Sequence, residues 1–413
     1  MRRNSENTPT KTSPAARYLS LVSGRISAAR RDMPRLIEMG EKMAAPICAG
    51  GRFLVPRIAS FWPSEFCGRA GGFMGISRGH GLRMTRRDVA YIALPVPSRR
   101  DEAKENALRA LLAGRPQVFV NGRQDELDTL PSSLVRRVAG FTGGAPADLG
   151  LYAFGRFNPL AGVRHFDQFL RGWTATGEMI GACTRAGKMP VIYMSVMFEG
   201  AFVRNASFVK QSNYEGGYGV PFFHENLFVP PLEPGYAGNS FLDSAEGHLR
   251  TLLAQQKILA QAGEWMAQAR REKRRVWTVA VGHSYPEVLE LPEDSDYPVE
   301  WGHHSSEPAT ALSAGLNSGD VVLFLGYRPG DVPAVRAALK RGIRFIHTSP
   351  YGKPQGLDPH PNYLWFDLPW RPGDASVDVP GYGVRILPMS SVCHTMAFFA
   401  ILCEYADRMG WNP

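Results

Sequence analysis

The stretch SEFCGRAGG at residues 64–72 places a carboxylate and a guanidinium, Glu65 and Arg69, four residues apart. It follows an apolar run at 52–58 that is typical of a strand. A carboxylate beyond a strand can serve as a general base, and a guanidinium beside it can bind an anion. The same spacing also suits an ordinary ion pair on a helix surface. Both interpretations of the pair stay open.

Further hydroxyl, imidazole and guanidinium groups follow three predicted strands and open one predicted helix. They are His283 and Ser284 in VGHSY, Arg328 in GYRPGD, Ser349 in TSPY, and Ser390, Ser391, His394 and Thr395 in SSVCHT. In open α/β sheets, ligands bind beyond the carboxyl ends of strands, near helix N-termini whose free N–H groups attract anions. A serine-rich helix start can also be a simple N-cap. The repeated placement favours a site for a phosphate or a sugar.

Helix and strand patterns alternate along the chain, and the same order occurs twice. The first series is a helix at 26–45, strands at 52–58 and 88–94, a helix at 100–113, a strand at 117–121 and a long apolar helix at 166–184. The second is a helix at 247–272, strands at 276–281 and 320–325, a helix at 332–341, a strand at 343–348 and a long apolar helix at 389–409.

Strands such as VAYIAL at 89–94 and VVLFL at 321–325 are apolar throughout, which is typical of parallel sheets covered by helices on both faces. The pattern predicts an α/β protein with two three-layer αβα sandwich domains, related by internal duplication. We expect a disordered basic tail over 1–20, a first domain over 21–197, an aromatic connector rich in Gly and Pro over 198–245, and a second domain over 246–413.

Composition and charge limit the classes of partner that we expect for this protein. Of the nine net positive charges, six lie in the first 35 residues, but no basic motif interleaved with aromatic residues follows, so we expect no nucleic-acid partner. The longest apolar stretch, 396–403, is too short to span a membrane. The five cysteines form no CxxC pair and the N-terminus lacks a signal-like apolar centre, so we expect reduced thiols and a cytoplasmic location. His283, His303 and His304 lack a carboxylate or Cys at a familiar spacing, so we expect no metal or other cofactor.

Several motifs resemble the sugar isomerase (SIS) domain family. GDVVLFLGYRPGD at 319–331 and ALKRGIRFIHTS at 338–349 are similar to its second strand, phosphate loop, following helix and third strand. GGRFLV at 50–55 and EFCGRAGG at 65–72 resemble its opening strand and next helix. The resemblance implies two copies of a five-stranded parallel sandwich with flavodoxin-like topology that binds phosphosugars. In the phosphoheptose isomerase branch, a Glu in this motif and a His on the last helix are catalytic, which implies Glu65 and His394 here.

The chain departs from the family at the phosphate loop. Where the family has Ser-x-Ser-Gly-x-Thr, this chain has GYRPGD, which loses the hydroxyls and gains Asp331. Arg328 could replace them, or the ligand could be an unphosphorylated polyol.

Three functions therefore stay open: an aldose-ketose isomerase using Glu65 and His394, a non-catalytic phosphosugar sensor, and a lyase or etherase acting on an amino-sugar phosphate. The expected substrate contacts are Arg69, His283, Ser284, Arg328, Ser349, Ser390, Ser391 and Thr395. A homodimer is also left open.

Overall fold

The computed structural model describes residues 13–58, 61–79, 83–94, 102–144, 152–153, 156–157, 160, 162–209, 223–280, 300–301, 315–327, 331–357 and 359–411. Within these residues lie two five-stranded sheets, two short antiparallel pairs of strands, and helices around and between the sheets. The predicted α/β class with parallel sheets is confirmed.

The first sheet is built from the N-terminal half. Its strands are β1 (Phe53–Leu54), β2 (Ile76–Ser77), β3 (Val89–Ala93), β4 (Gln117–Asn121) and β5 (Val138–Phe141), in the order β2-β1-β3-β4-β5. All pairings are parallel. Helices α4 (Glu102–Gly114) and α5 (Ser132–Val135) and a 3-10 turn (Gln124–Thr129) accompany it. Leu108 and Leu111 of α4 share a core with Ala90 and Ile92 of β3, so α4 covers the outer face of this sheet.

The second sheet repeats this order in the C-terminal half. Its strands are β8 (Val276–Ala280), β9 (Glu300–Trp301), β10 (Val321–Leu325), β11 (Arg344–Thr348) and β12 (Tyr363–Trp365), in the order β12-β11-β10-β8-β9. These pairings are also parallel. Helix α10 (Val332–Lys340) packs Val335 and Leu339 against Val322 and Phe324 of β10 and covers the outer face. Counted within its own half, each sheet has the order 2-1-3-4-5, which is the flavodoxin-like order.

A layer of long helices lies between the two sheets. Its members share one core with the inner faces of both sheets, and they are α1 (Pro14–Arg31), α2 (Met33–Cys48), α6 (Gly162–Arg185), α8 (Tyr236–Leu253), α9 (Gln256–Arg271) and α11 (Ser390–Arg408). Helix α6 is buried from Gly162 to Thr184, and α11 from Ser390 to Ala406. A helix that is buried on all sides needs apolar residues on all sides, which explains the two long apolar patterns.

The remaining elements connect these layers. Helix α3 (Phe61–Phe66) follows β1, and helix α7 (Ala201–Val209) lies in the expected connector. The small antiparallel pairs are β6 (Tyr152–Ala153) with β7 (Arg156–Phe157), and β13 (Ala375–Val379) with β14 (Tyr382–Pro388). The hairpin of β13 and β14 packs on α6 and α8 and leads directly into α11. It therefore brings the chain before β13 back to the start of α11.

Three expected boundaries need correction. Residues 14–20, assigned to a disordered tail, belong to α1, and Tyr18 and Leu19 are fully buried. The predicted helix at 26–45 is two helices, because the chain turns at Asp32. The backbone N–H of Asp32 donates to the Ala28 carbonyl and ends α1. The predicted helix at 247–272 is likewise two helices, α8 and α9, and α8 already begins at Tyr236, inside the expected connector.

Candidate functional site

The start of α11 is capped by a carboxylate from the other end of the hairpin. Asp374 Oδ1 accepts hydrogen bonds from the backbone N–H groups of Met389 (3.0 Å) and Ser390 (2.7 Å). Asp374 has φ of +73°, a left-handed conformation that only a few residue types tolerate. A helix N-terminus attracts anions, and here a protein carboxylate occupies that position. Two of the N–H groups at this helix start are therefore already paired with a carboxylate.

Arg69 joins the two halves of the protein through this carboxylate. Gly68, at φ +76°, ends α3 in a left-handed turn, and Arg69 follows it fully buried. One guanidinium nitrogen, Nη2, donates to Asp374 Oδ2 (2.8 Å) and Ser390 Oγ (2.9 Å). The other, Nη1, donates to Glu65 Oε2 (2.7 Å) and contacts Ser391 Oγ at 2.5 Å. Glu65 and Arg69 are thus not the surface pair that the spacing alone allowed.

Both oxygens of Glu65 are occupied. Oε1 accepts from the indole Nε1 of Trp173 on α6 (2.7 Å), whose ring stacks on Phe66. Oε2 accepts from Arg69 and from the Ser391 hydroxyl (2.7 Å). Only 3% of Glu65 is exposed. We call the set Glu65, Arg69, Asp374, Ser390 and Ser391 the buried charge network.

Electrostatics separate the two carboxyls of the network. Burial raises the pKa of Glu65, and the charge of Arg69 offsets only part of that effect. Burial also opposes ionisation of Asp374, but Arg69 and the Ser390 N–H outweigh it and lower its pKa. Asp374 is therefore the permanent partner of Arg69, and Glu65 is the carboxyl that takes up a proton more readily. Environments that move two carboxyls apart in this way are typical of acid–base sites and of structural ion pairs alike.

His394 lies one helical turn beyond Ser390 and Ser391. It is fully buried, and the Trp370 ring meets it edge-on at 4.9 Å between centroids. Burial lowers the pKa of His394 to about 4, although the Asp374 carboxylate and the Gly326 backbone hold it up in part. Its imidazole is therefore neutral at pH 7. Among the described residues, neither ring nitrogen has a hydrogen-bond partner of ordinary geometry, and the same holds for Nε of Arg69 and Nε1 of Trp370.

The other expected ligand contacts are spread over different environments. Ser349 follows β11 and is buried, and its hydroxyl accepts from the N–H of Tyr351 at 3.3 Å. Thr395 turns back on its own helix and donates to the Ser391 carbonyl at 2.6 Å. His283, Ser284 and Arg328 lie outside the described residues. The structure thus brings Glu65, Arg69, Ser390 and Ser391 together, with His394 beside them.

A cleft of about 510 Å³ lies next to the network. Gly71 lines it from the first half, Tyr193, Ser195 and Phe198 from the segment that follows α6, and residues between Pro372 and Arg385 from the hairpin and the turn before it. Neither Glu65 nor His394 is among the lining residues. The Ser195 hydroxyl is 3.1 Å from the hydroxyl of Tyr327, which follows β10.

Tyr327 connects the cleft to the network. Burial, followed by the charge of Asp374, raises the pKa of Tyr327, and Arg69 acts in the opposite direction. The phenol therefore remains protonated and is close enough to sense both charges. Ser195 in the cleft wall is thus hydrogen-bonded to a phenol that lies within electrostatic range of Asp374 and Arg69.

Sequence reasoning missed Asp374, Trp173, Tyr327 and Ser195. Asp374 stands in a Gly-rich turn, and its partner Arg69 is 305 residues away in the sequence, so no local pattern marks the contact. Trp173 lies within an apolar helix, where a core role is the simplest interpretation. Tyr327 could have been identified from the sequence, since it belongs to the same GYRPGD loop as the candidate residue Arg328.

Neither metal-ligand clusters nor membrane-spanning helices occur among the described residues. Within the described parts of the chain, no three His, Cys, Asp or Glu side chains cluster as metal ligands would. No helix in those parts has the length and apolar character needed to cross a bilayer.

Comparison with known proteins adds little. No family model matches the chain, and no curated protein matches it. One similar solved structure is described as "Putative sugar binding protein from Salmonella typhimurium LT2". It aligns over 93% of this chain and 98% of its own, with 11% identity and a TM-score of 0.45. A likeness of that size does not by itself support a shared fold or ligand.

Proposed function

We propose that this protein binds a sugar phosphate or a related polyol in the cleft between Gly71 and the β13–β14 hairpin. The observation that carries the proposal is the cleft itself, about 510 Å³ in volume and lined from both halves of the chain. Small-molecule sites are commonly clefts of roughly 300–1,000 Å³ with a few convergent polar groups. The SIS-like motifs and the shared 2-1-3-4-5 order of the two sheets favour a sugar as the ligand.

The lining suits a polyol. Tyr193, Phe198 and Tyr382 supply aromatic surface for the C–H face of a sugar ring, and Ser195 supplies a hydroxyl. The Tyr382 hydroxyl is held by Arg204 (2.9 Å) and His224 (3.1 Å), which fixes the position of the ring. Polar groups fixed before the ligand arrives lower the entropy cost of binding.

The charge at the rim tolerates an anion. Asp378 is paired with two guanidinium groups, Arg371 Nη1 at 2.7 Å and Arg385 Nε at 2.8 Å, so this cluster carries a net positive charge. Arg385 and Asp378 both line the cleft. A phosphate could therefore bind one of the two guanidinium groups while the other remains paired with Asp378, so that the phosphate meets no unpaired carboxylate.

Within this proposal, binding without chemistry is favoured over isomerisation. A general base has to reach a proton on the substrate, within roughly 2.6–3.2 Å. Glu65 holds three protein donors on its two oxygens and does not line the cleft. An isomerase, or a lyase using the same carboxylate, would first have to open the buried charge network. The buried charge network is better suited to holding the two walls of the cleft in a fixed relative position.

A ligand screen tests the proposal. Melting midpoints should rise with one class among hexose, heptose and amino-sugar phosphates or their unphosphorylated forms, because a ligand bound only to the folded state stabilises it. NMR in D₂O of the active compound should show no deuterium at C2, whereas exchange at C2 would support the isomerase. If phosphate is recognised at this rim, Arg385→Ala should reduce the midpoint shift caused by the phosphosugar. A chain that no sugar or polyol stabilises would contradict the proposal.

A further inference from the structure

Two cysteines from distant parts of the sequence meet where helices α2 and α6 end. Cys48 is the last residue of α2, and Cys183 lies in the last turn of α6. Their Sγ atoms are 3.6 Å apart, and both residues are free thiols. A disulfide requires a separation of about 2.05 Å, so a side-chain rotation that brings the sulfurs about 1.5 Å closer would allow the bond.

The two helices are already packed closely enough for such a bond. Gly40 of α2 lies against the backbone of Glu178 and Met179 on α6, where an added Cβ would meet atoms at 2.7 Å. Gly40 and Glu178 lie two turns and just over one turn before the respective cysteines. The helix contact therefore holds the sulfurs near each other in the reduced protein.

The two thiols differ in the way that an attacking and a resolving cysteine differ. The contact with the Cys183 thiol, together with the nearby charge of Lys188, outweighs burial and lowers the pKa of Cys48 to about 7. The same contact, together with burial, raises the pKa of Cys183. Cys48 is partly exposed and Cys183 is buried. A soluble oxidant would thus meet Cys48 first, in its nucleophilic thiolate form.

The other three cysteines have different surroundings. Burial raises the pKa of Cys67 to about 12 and also raises the pKa values of Cys393 and Cys403. Cys393 and Cys403 are fully buried. These thiols provide internal controls within the same molecule.

We propose that Cys48 and Cys183 are an oxidisable dithiol, which a low-molecular-weight disulfide such as oxidised glutathione converts to an intramolecular disulfide joining α2 to α6. The Cys48 thiolate attacks one sulfur of the oxidant, the S–S bond breaks, and one glutathione thiolate leaves. Cys183 then loses its proton to solvent and attacks the Cys48 sulfur of the mixed disulfide, which releases the second glutathione. Two protein thiols are oxidised and one glutathione disulfide is reduced to two thiols.

Peptide mapping of the full-length protein tests this site. The native protein is treated with oxidised glutathione, alkylated with N-ethylmaleimide and digested without reductant. The expected product is a linked pair of peptides containing Cys48 and Cys183, lighter by two hydrogens than the separate reduced peptides. Titratable thiols in the denatured product should fall from five to three, and dithiothreitol should restore them.

Variants separate the two steps. Cys183→Ser should stop at a glutathione adduct on Cys48, and Cys48→Ser should leave Cys183 reduced. Cys403→Ser, a buried control, should give the same linked peptides as the wild type. The wild-type map decides the matter even if a variant fails to fold. An adduct that persists on wild-type Cys48, a link to another cysteine, or five unreacted thiols would overturn the proposal.

Discussion

Replacing Arg69 by methionine removes the buried cation that lies between the carboxylates of Glu65 and Asp374. In the wild type, Arg69 donates to Glu65, Asp374 and both serines that open α11. The side chain has 0% exposure, and the two carboxylates have 2% each. Methionine retains the length of the side chain but leaves both carboxylates without a positive partner.

The size of the effect follows from the change in protonation that costs the site the least free energy. Asp374 keeps the two N–H donors at the start of α11, so Glu65 is the group that should give up its charge. Protonating a carboxyl of ordinary pKa 4.5 at pH 7 costs about 3.4 kcal/mol, at about 1.36 kcal/mol per unit. Removing one partner of a buried ion pair typically costs about 3–5 kcal/mol. We expect Arg69→Met to lose about 3–5 kcal/mol of unfolding free energy at pH 7.

The loss should depend on pH. In the variant, folded Glu65 keeps a proton that the unfolded chain releases above pH 4.5, so the folded state binds more protons and stability falls as the pH rises. Between pH 7 and pH 5, the deficit relative to the wild type should shrink by up to about 2.7 kcal/mol, because the proton becomes easier to supply.

Urea unfolding of both proteins at pH 5, 6 and 7 measures this. Arg271→Met is the matched control, since Arg271 forms an exposed pair with Glu264 and should change stability by only about 0–1 kcal/mol. An Arg69→Met protein within 1 kcal/mol of the wild type, or a large loss that is the same at all three pH values, would refute the reasoning.

Three further predictions concern the surroundings of the network. Glu65→Gln should lower the unfolding free energy measured in urea by about 1–3 kcal/mol, because the amide nitrogen must face a donor, Arg69 or Trp173. A smaller loss of stability together with lost turnover would indicate a catalytic role. Burial lowers the pKa of His394 to about 4, so the stability of the folded state should fall as the pH drops below about 6.5. His394→Gln should lessen that fall, as measured by melting midpoints from pH 7 to pH 4.5. A variant whose melting midpoint falls as steeply as that of the wild type would contradict this prediction. Gly40→Ala should cost about 1–3 kcal/mol, because its Cβ would lie 2.7 Å from Glu178, whereas an added Cβ at the control position, Gly24, meets open space.

Much of the sheet architecture could be predicted from local pattern. Strand β4 occupies the predicted 117–121, and β10 and β11 begin one residue inside their predicted spans. The interiors of these strands are buried and mostly apolar because both of their faces are covered, so their sequence signal is strong. The helix boundaries were harder. The break at Asp32 follows from a single backbone turn between two helices of similar pattern, which periodicity does not show.

The candidate site was only partly predictable. Motif position drew attention to Glu65, Arg69, Ser390 and Ser391, and the structure places them in one network. Asp374 decides the charge balance of that network, because it pairs with Arg69 and with two N–H groups at the start of α11. Its contacts come from a hairpin that folds its two ends together, and the local sequence carries no sign of that closure.

Calorimetric titration of a cleft-filled variant tests the proposed binding site most directly. Gly383 lines the cleft, its φ lies outside the left-handed region, and an added Cβ there meets no atom within 4 Å, so Gly383→Trp can fill the cleft without a backbone clash. Gly24→Trp, at an exposed position of α1, is the control. With the sugar phosphate or polyol that most stabilises the wild type, we predict binding to the wild type and to the control and at least a tenfold loss, about 1.4 kcal/mol, in Gly383→Trp. Equal affinity for all three proteins would contradict the placement of the ligand in this cleft.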